Sequence, residues 1–171
     1  DQRDIFADGH RAEQRARLKH HSERRPADRE VRRAESGDVD RAVADYTQAI
    51  RLDPKNEADY RTAMCWTRAV GGGDLNAALA DCDKSVKLDP KNASAFETRG
   101  VVNLKLNRLA EARADFDAAQ SLEPERAGSL YCRGIVRRRA GDIAGGDADI
   151  AAAKAQEPEV AESYATVGVT P

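Results

Sequence analysis

Apolar side chains recur along the chain at helical spacing, in four segments of similar sequence. In the first segment the apolar positions fall at i, i+3, i+4, i+7, i+10 and i+11, and they are Val39, Ala42, Val43, Tyr46, Ala49 and Ile50. A period of 3.6 residues places such positions on one face of an α-helix. The pattern therefore predicts one amphipathic helix in each segment.

The four segments repeat at a nearly constant distance. They read GDVDRAVADYTQAIRLDPKN, GDLNAALADCDKSVKLDPKN, NRLAEARADFDAAQSLEPER and GDIAGGDADIAAAKAQEPEV, beginning at Gly37, Gly73, Asn107 and Gly141. Their acidic-Pro pairs lie 36, 34 and 34 residues apart, with prolines at Pro54, Pro90, Pro124 and Pro158. Self-similarity at this period is typical of stacked helical repeats, in which each unit buries its apolar face against its neighbours.

Local signals mark where these helices begin and end. Asp38, Asp74 and Asp142 can accept hydrogen bonds from the free N–H groups of the first turn. The proline ends each helix because the residue before it is driven out of the α region. At Gly37, Gly73, Asn107 and Gly141 the sequence predicts the left-handed conformation that ends the preceding helix.

A second helix is predicted before the third and fourth segments, over Ala93–Leu106 and Ala127–Ala140. Each contains a glycine, Gly100 or Gly134, which costs up to about 1 kcal/mol in a helix relative to alanine. We expect this cost to be offset by close approach of the partner helix, at Ala112 or Gly146.

This arrangement resembles the tetratricopeptide repeat, a 34-residue helix–turn–helix. The matching features are a bulky residue and a small residue in the first helix (helix A), then Gly-Asp, then a second helix (helix B) that closes on Asp-Pro. Helix B carries a small residue and an aromatic residue or its substitute, at Ala42, Ala78, Ala112 and at Tyr46, Cys82, Phe116, Ile150. The resemblance implies an all-α, right-handed superhelical solenoid of about four units, acting as a non-catalytic protein-interaction scaffold.

The repeat divides the chain into six parts. They are an N-terminal arm at 1–22, helical or disordered, units at 23–56, 57–92, 93–126 and 127–160, and a truncated capping helix at 161–171. The first unit has a degenerate, charged helix A at about Pro26–Glu35. The second has two extra residues, which we assign to the turn at Gly71-Gly72-Gly73.

The resemblance also implies a binding surface, because helix A usually lines the concave side of such arrays. The outward positions of helix A carried over by alignment include Cys65 and Glu97, and the candidate peptide-binding residues are Arg61, Arg68, Val101, Leu104, Lys105, Tyr131, Ile135, Arg138 and Arg139. Arginines around apolar side chains would suit an acidic peptide with apolar anchors, since a guanidinium grips carboxylates with two parallel hydrogen bonds. The alternative is that these arginines only solubilise the surface.

Family members that bind the C-terminal carboxylate of chaperones use a Lys/Asn/Arg set spread over three units. The corresponding positions here are Ala27, Val31, Arg61, Cys65, Thr98, Gly128 and Cys132. Because the asparagines are missing, we do not expect this chaperone-binding function.

Two rival binding modes remain open at this point. One is nucleic-acid binding through Arg133, Arg137, Arg138 and Arg139 with the basic arm. Residues 1–33 hold 10 Lys and Arg against 7 Asp and Glu, an excess too small for the multiple phosphate contacts such binding needs. The other is weak self-association of the open-ended solenoid, end to end.

The sequence predicts no catalytic residue, no cofactor and no metal. The three histidines, His10, His20 and His21, lie in the arm without metal-ligand spacing. Four aspartates recur with the repeat on helix B, and this periodicity favours a solvated face over an acid–base pair; they are Asp45, Asp81, Asp115 and Asp149.

Composition adds a few limits. A net charge of -2 gives no general reason to expect polyanion binding, and no stretch is apolar for the length of a membrane span. The three cysteines, Cys65, Cys82 and Cys132, are expected to be small buried hydrophobes and not a disulfide framework. This weakly favours a reducing compartment such as the cytoplasm, while the lack of an initiator Met leaves a periplasmic or secreted location open.

Overall fold

The computed structural model describes residues 39–171, and the arm at 1–22 and the helix A predicted at Pro26–Glu35 lie outside this range. The described part contains α-helices and no strand. Their bounds are α1 Val39–Leu52, α2 Glu57–Val70, α3 Leu75–Leu88, α4 Ala93–Lys105, α5 Leu109–Leu122, α6 Ala127–Arg139, α7 Ile143–Gln156 and α8 Val160–Thr166, with a 3-10 turn at Pro54–Asn56. None of the helices in this range is both long and apolar enough to cross a bilayer.

The helices pack in chain order, as a linear array requires. The main contacts are within the pairs α2–α3, α4–α5 and α6–α7, and each pair also contacts the next. Helices α2, α4 and α6 additionally contact one another along the array. They form one layer, the helix A layer, and α1, α3, α5 and α7 form the helix B layer. The predicted all-α solenoid is confirmed.

The predicted helix starts are observed where the structure describes them. The side chain of Asp74 accepts a hydrogen bond from the Asn76 amide at 2.8 Å, and that of Asp142 accepts one from the Gly145 amide at 3.0 Å. Asn92 caps α4 in the same way, with 3.1 Å to the Ala95 amide. These bonds satisfy N–H groups that have no partner inside the helix.

The turn in the second unit differs from the prediction. Asn107 and Gly141 are left-handed as expected, with φ of 58° and 91°, but in this turn the left-handed residue is Gly72 (φ 78°) and not Gly73. Helix α2 has 14 residues where α4 has 13, and its link to the next helix is also one residue longer. One of the two extra residues therefore extends the helix, and only the other lies in the turn.

Close helix approach explains the glycines inside helix A. A Cβ added to Gly134 would lie 2.7 Å from the carbonyl oxygen of Gly146, which confirms the predicted contact. At Gly100 the near neighbour is the ring of Phe116, at 2.7 Å, and not the predicted Ala112. The aromatic ring of helix B enters the space that the missing side chain leaves.

A disulfide joins helix A to helix B in the second unit. Cys65 and Cys82 are bonded with their Cα atoms 5.4 Å apart, and both side chains are fully buried. Cys82 stands 34 residues before Phe116, so a covalent link occupies the place of the aromatic contact in the next unit. The prediction of unpaired cysteines is wrong for these two, and Cys65 does not face outward; Cys132 is buried and unpaired, as predicted.

Candidate functional site

A groove opens on the helix A layer between α2, α4 and α8. Its volume is about 410 Å³, and its walls are largely apolar. The lining residues are Thr62, Ala63 and Trp66 from α2, Ser94, Glu97 and Thr98 from α4, and Ser163, Tyr164 and Val167 from the C-terminal part. Trp66 is the only tryptophan of the chain. We call this space the concave groove.

Glu97 is the polar centre of one wall. Its carboxylate accepts hydrogen bonds from Arg126 Nε at 2.6 Å, from the Tyr164 hydroxyl at 2.6 Å, and from the Ser129 hydroxyl. The donors come from the start of α6 and from α8, so one side chain of α4 ties three parts of the array together. A carboxylate with three donors has little capacity left for a ligand.

Tyr164 is held as a neutral hydrogen-bond donor. Burial raises its pKa far above the ordinary value, and the nearby negative charge of Glu97 adds to the effect. Burial likewise raises the pKa of the neighbouring Cys132 thiol. Both groups stay protonated at neutral pH, because ionising either would place a charge in an apolar surrounding.

Two of the predicted groove arginines are engaged with their own unit. Arg61 Nη1 lies 2.7 Å from Asp81 Oδ1, and Arg68 Nε lies 3.1 Å from Asp81 Oδ2. Arg61 also contacts Glu57 at 3.3 Å. The pair thus joins helix A to helix B of the second unit.

Four of the predicted contact residues are buried and do not face outward. Val101 and Ile135 are 0% exposed, and Leu104 and Tyr131 are 2% exposed. They share one apolar cluster with Val160, Tyr164 and Val169. The expectation of exposed side chains is wrong, because these residues are buried in the same cluster as three side chains of residues 160–171, which we call the C-terminal segment.

The remaining predicted residues lie at the other end of helix A. Lys105 Nζ donates to the Ala69 carbonyl at 2.8 Å, and burial lowers the pKa of Lys105. Arg138 pairs with Asp147 at 3.0 Å, and Arg139 donates to the Thr170 carbonyl at 2.9 Å. Whether any of the nine residues contacts a peptide stays a prediction.

Three of the four recurring aspartates of helix B are buried, contrary to the solvated face predicted for them, and Asp45 is half-buried. Asp81, Asp115 and Asp149 are 6%, 4% and 7% exposed. Asp115 receives Arg99 at 2.6 Å, and Asp149 receives Arg133 at 2.8 Å. The arginines and aspartates share the 34-residue period, which was the available signal for these pairs.

We call the Arg99–Asp115 and Arg133–Asp149 pairs the arginine–aspartate ladder. Each of its arginines also contacts an aspartate of the preceding unit. Arg99 contacts Asp83 at 3.0 Å, and Arg133 contacts Asp117 at 3.2 Å. These links connect consecutive units as well as the two helices of one unit.

The two equivalent aspartates differ in their surroundings. Burial raises the pKa of Asp115, and Arg99 with Asn103 only partly offsets it. Burial also opposes ionisation of Asp149, but hydrogen bonds from Arg133 and Arg137 outweigh it and lower its pKa. Arg137 takes in the fourth unit the place that Asn103 has in the third. This second arginine explains why the pKa of Asp149 is lowered while that of Asp115 is raised.

These pairs also remove the basis for a nucleic-acid surface on α6. The four arginines proposed for it all have partners: Arg133 and Arg137 bind Asp149, Arg138 binds Asp147, and Arg139 binds the backbone at Thr170. Phosphate binding would have to compete with these bonds, so the structure does not support that alternative. Within 39–171 no group of three or more His, Cys, Asp or Glu side chains is placed to hold a metal ion.

Comparison with known proteins agrees with this architecture. No curated protein matches the chain. Among solved structures, a thermophilic tetratricopeptide repeat protein from Thermus thermophilus is 21% identical, with a TM-score of 0.71 over 83% of this chain and 79% of that one. The protein MamA is 23% identical, with a TM-score of 0.64 over 78% of this chain and 77% of that one.

A third similar structure is the first tetratricopeptide repeat domain of Spaghetti (RPAP3), solved with the HSP90 peptide SRMEEVD. It is 22% identical, with a TM-score of 0.62 over 68% of this chain and 90% of that one. At these identities the structures show a common fold. The tetratricopeptide repeat family model matches residues 32–93 and 67–129, which together span more than half of the chain. The chain belongs to the tetratricopeptide repeat family.

Proposed function

We propose that this protein is a non-catalytic scaffold that binds a segment of a partner protein in the concave groove. The observation that carries the proposal is the half-buried indole of Trp66 in the wall of a largely apolar cavity of about 410 Å³. Aromatic side chains in such positions dominate the energetics of many interfaces. The family's role as a protein-interaction scaffold supports the same conclusion.

The chemistry of the groove favours an apolar anchor on the partner. Ala63 and Trp66 of α2 supply apolar surface, and Thr98 of α4 adds a hydroxyl group. Burying an aliphatic or aromatic side chain here contributes about 1.5–3 kcal/mol. The anchor therefore supplies affinity, and the hydroxyl group orients it.

The acidic character predicted for the partner rests on weaker ground. Arg61 and Arg68 already bind Asp81, so a partner carboxylate would replace an existing ion pair and add little. The HSP90 peptide bound by the RPAP3 domain is acidic, but this chain lacks the asparagines that chaperone-binding members use. An acidic preference stays a prediction, and we do not propose the chaperone peptide as ligand.

A peptide library tests the groove. Random 12-residue peptides displayed on phage are selected on the full chain, and the affinity of selected peptides is then measured on three variants. Trp66→Ala and Ala63→Arg should each weaken binding at least tenfold. Ala110→Arg, an exposed alanine of α5, is the matched control and should leave it unchanged. Selected peptides that bind all variants equally would disprove the groove assignment.

The disulfide leads to a second proposal, on compartment. Disulfides persist in oxidising surroundings and are rare in the cytosol. The cytoplasmic expectation rested on unpaired cysteines, and Cys65 and Cys82 are bonded. We therefore propose an oxidising compartment, such as the periplasm or the cell exterior. Alkylation of whole source cells tests it, since modified Cys65 and Cys82 would contradict it.

A further inference from the structure

The C-terminal segment lies on the helix A layer, the layer that the family resemblance implies for ligand binding. Its Tyr164 hydroxyl reaches Glu97 on α4, and its Thr170 carbonyl accepts from Arg139 at the end of α6. Val167 forms part of the same groove as Trp66 of α2. The segment thus bonds to the A helices of the third and fourth units and shares the groove with that of the second, whereas a simple end cap needs to contact only the last unit.

The surface under the segment is apolar and shaped for it. Tyr164 packs on Tyr131 with ring centroids 5.9 Å apart, and Val160 and Val169 are 1% and 2% exposed. A Cβ at Gly128 would collide with the Tyr164 hydroxyl, so glycine there leaves room for it. The receiving surface therefore recognises a phenol, through Glu97 and Gly128, and two aliphatic side chains.

Few interactions hold the segment in place. Helix α8 has only seven residues, and isolated helices of this length are marginal in water. Its polar links to the rest of the array are a few side-chain bonds, among them Tyr164–Glu97, Arg139–Thr170 and a bond between Tyr164 and the Cys132 thiol. Most of its other side chains are exposed. Segments with so few contacts open at lower free energy than the core of a domain.

We propose that the C-terminal segment is an internal ligand, and that a partner of the same chemistry displaces it. That partner presents a tyrosine for Glu97 and flanking aliphatic residues for the surface of Val101, Leu104 and Ile135. The inference rests on the proposed function and adds a regulatory step: binding requires release of the segment, so affinity for an external segment is reduced by the fraction of closed molecules.

The test uses the full chain and a fluorescent peptide with the sequence of residues 157–171. The double variant Tyr164→Ser and Val169→Asp, which we call the released variant, should free its own C-terminal segment. It should bind the peptide at least tenfold more tightly than the wild type does. Replacing tyrosine by phenylalanine in the peptide should weaken this binding several-fold. Ala165→Asp, an exposed change in the same helix, is the control and should behave as wild type. Equal peptide affinity for the released variant and the wild type would overturn the proposal.

Two readouts separate this proposal from other outcomes. The emission of Trp66 should shift to longer wavelength in the released variant, because Val167 no longer covers the groove. Wild-type amides of 160–171 should exchange with deuterium at least a hundredfold faster than those of α4 and α6; equal rates would overturn the proposal even if the released variant failed to fold.

Two copies of the chain could instead exchange their C-terminal segments. A dimer fraction that increases with protein concentration would show this, and it would overturn the proposal of a different protein as partner. Some library peptides could lose affinity in Trp66→Ala and still bind the wild type and the released variant equally. That result would support the proposed binding groove and disprove displacement of the C-terminal segment.

Discussion

The hydroxyl of Tyr164 lies 2.6 Å from Oε1 of Glu97, although 67 residues separate them in sequence. This bond joins the last helix to the third unit and passes over the fourth. It anchors the C-terminal segment on the helix A layer, and it makes Tyr164 the most informative residue to change in that segment.

Tyr164→Phe should lower the free energy of unfolding by about 1.5 kcal/mol. The ring contacts remain, but Glu97 loses one of its three donors, and hydrogen bonds to charged groups are worth roughly 1.5–3 kcal/mol. Urea denaturation followed by circular dichroism measures the change. A loss below about 0.3 kcal/mol would mean that the bond contributes little to stability.

Stability should fall as the pH rises above about 10, the ordinary tyrosine pKa. Tyr164 has a raised pKa in the folded state, so the unfolded chain loses the proton first and unfolding becomes easier with each further pH unit. The slope approaches about 1.4 kcal/mol per unit for this one group. Tyr164→Phe should remove that part of the slope, and denaturation curves at pH 8, 10 and 11 of both proteins measure it.

Cys65→Ser with Cys82→Ser should lower the free energy of unfolding by about 3 kcal/mol, because the bond closes a loop with a sequence separation of 17. The double change is compared with Cys132→Ala, which alters the unpaired cysteine. Alkylation gives an independent measurement: the denatured, unreduced protein should take up one alkyl group, and the reduced protein three. Three groups without reduction would contradict the disulfide.

Asp149→Asn should cost about 2 kcal/mol at neutral pH, because it leaves the half-buried guanidinium of Arg133 without its main partner. Asp115→Asn should cost less, since burial already raises the pKa of that carboxyl group and offsets part of its ion pair. The exposed pair of Arg138 and Asp147 is the control, and Asp147→Asn should change stability by at most about 0.5 kcal/mol.

The pH dependence of the same variant gives a second check. The pKa of Asp149 is lowered in the folded state, so its contribution is present above the ordinary aspartate pKa and is lost as the pH falls through the lower folded value. Wild type and Asp149→Asn should therefore converge in stability in acid. A difference that is independent of pH would show that packing, and not charge, is responsible.

Gly134→Ala should destabilise the protein by about 2 kcal/mol despite the better helix propensity of alanine. The new Cβ would meet the carbonyl oxygen of Gly146, and a backbone atom of a packed helix cannot move aside. Gly145→Ala is the comparison, because the nearest atoms that its Cβ would meet are side-chain atoms of Arg137 and Asp142, which can move at the cost of the cap and ion pair they form. Thermal melts should show a larger loss for the first than for the second.

The repeat arithmetic predicted the architecture because neighbouring units bury equivalent stripes. Helix starts at Asp74 and Asp142 followed from local chemistry and could be placed without coordinates. The surface could not be predicted in the same way, because exposure depends on what lies over a helix. Alignment within the repeat places Val101 and Ile135 on an open face, but both are buried in one cluster with Val160, Tyr164 and Val169 of the distant C-terminal segment. The alignment contains no information about that cluster.

The sequence did not predict the place of Trp66 in the groove, and it contained a signal for the ion pairs that was not used. Trp66 is the single tryptophan, yet its unit departs from the period, which hid its place in the groove. Arg99 and Arg133 could have been paired with Asp115 and Asp149 from the 34-residue spacing alone. The periodicity of the aspartates alone predicts a solvated face, because each aspartate and its arginine lie on different helices and meet only in the fold.

The arginine–aspartate ladder also bears on how such a chain can lengthen. Arg99 is bound by Asp83 of the unit before it and by Asp115 of its own, and Arg133 repeats this with Asp117 and Asp149. If residues 93–126 were duplicated in tandem, the copied arginine would find both acids already supplied, and Arg133 would find its backward partner on the duplicate. Growth by whole modules thus preserves electrostatic balance at every junction, which makes gene duplication a path of low risk for this array.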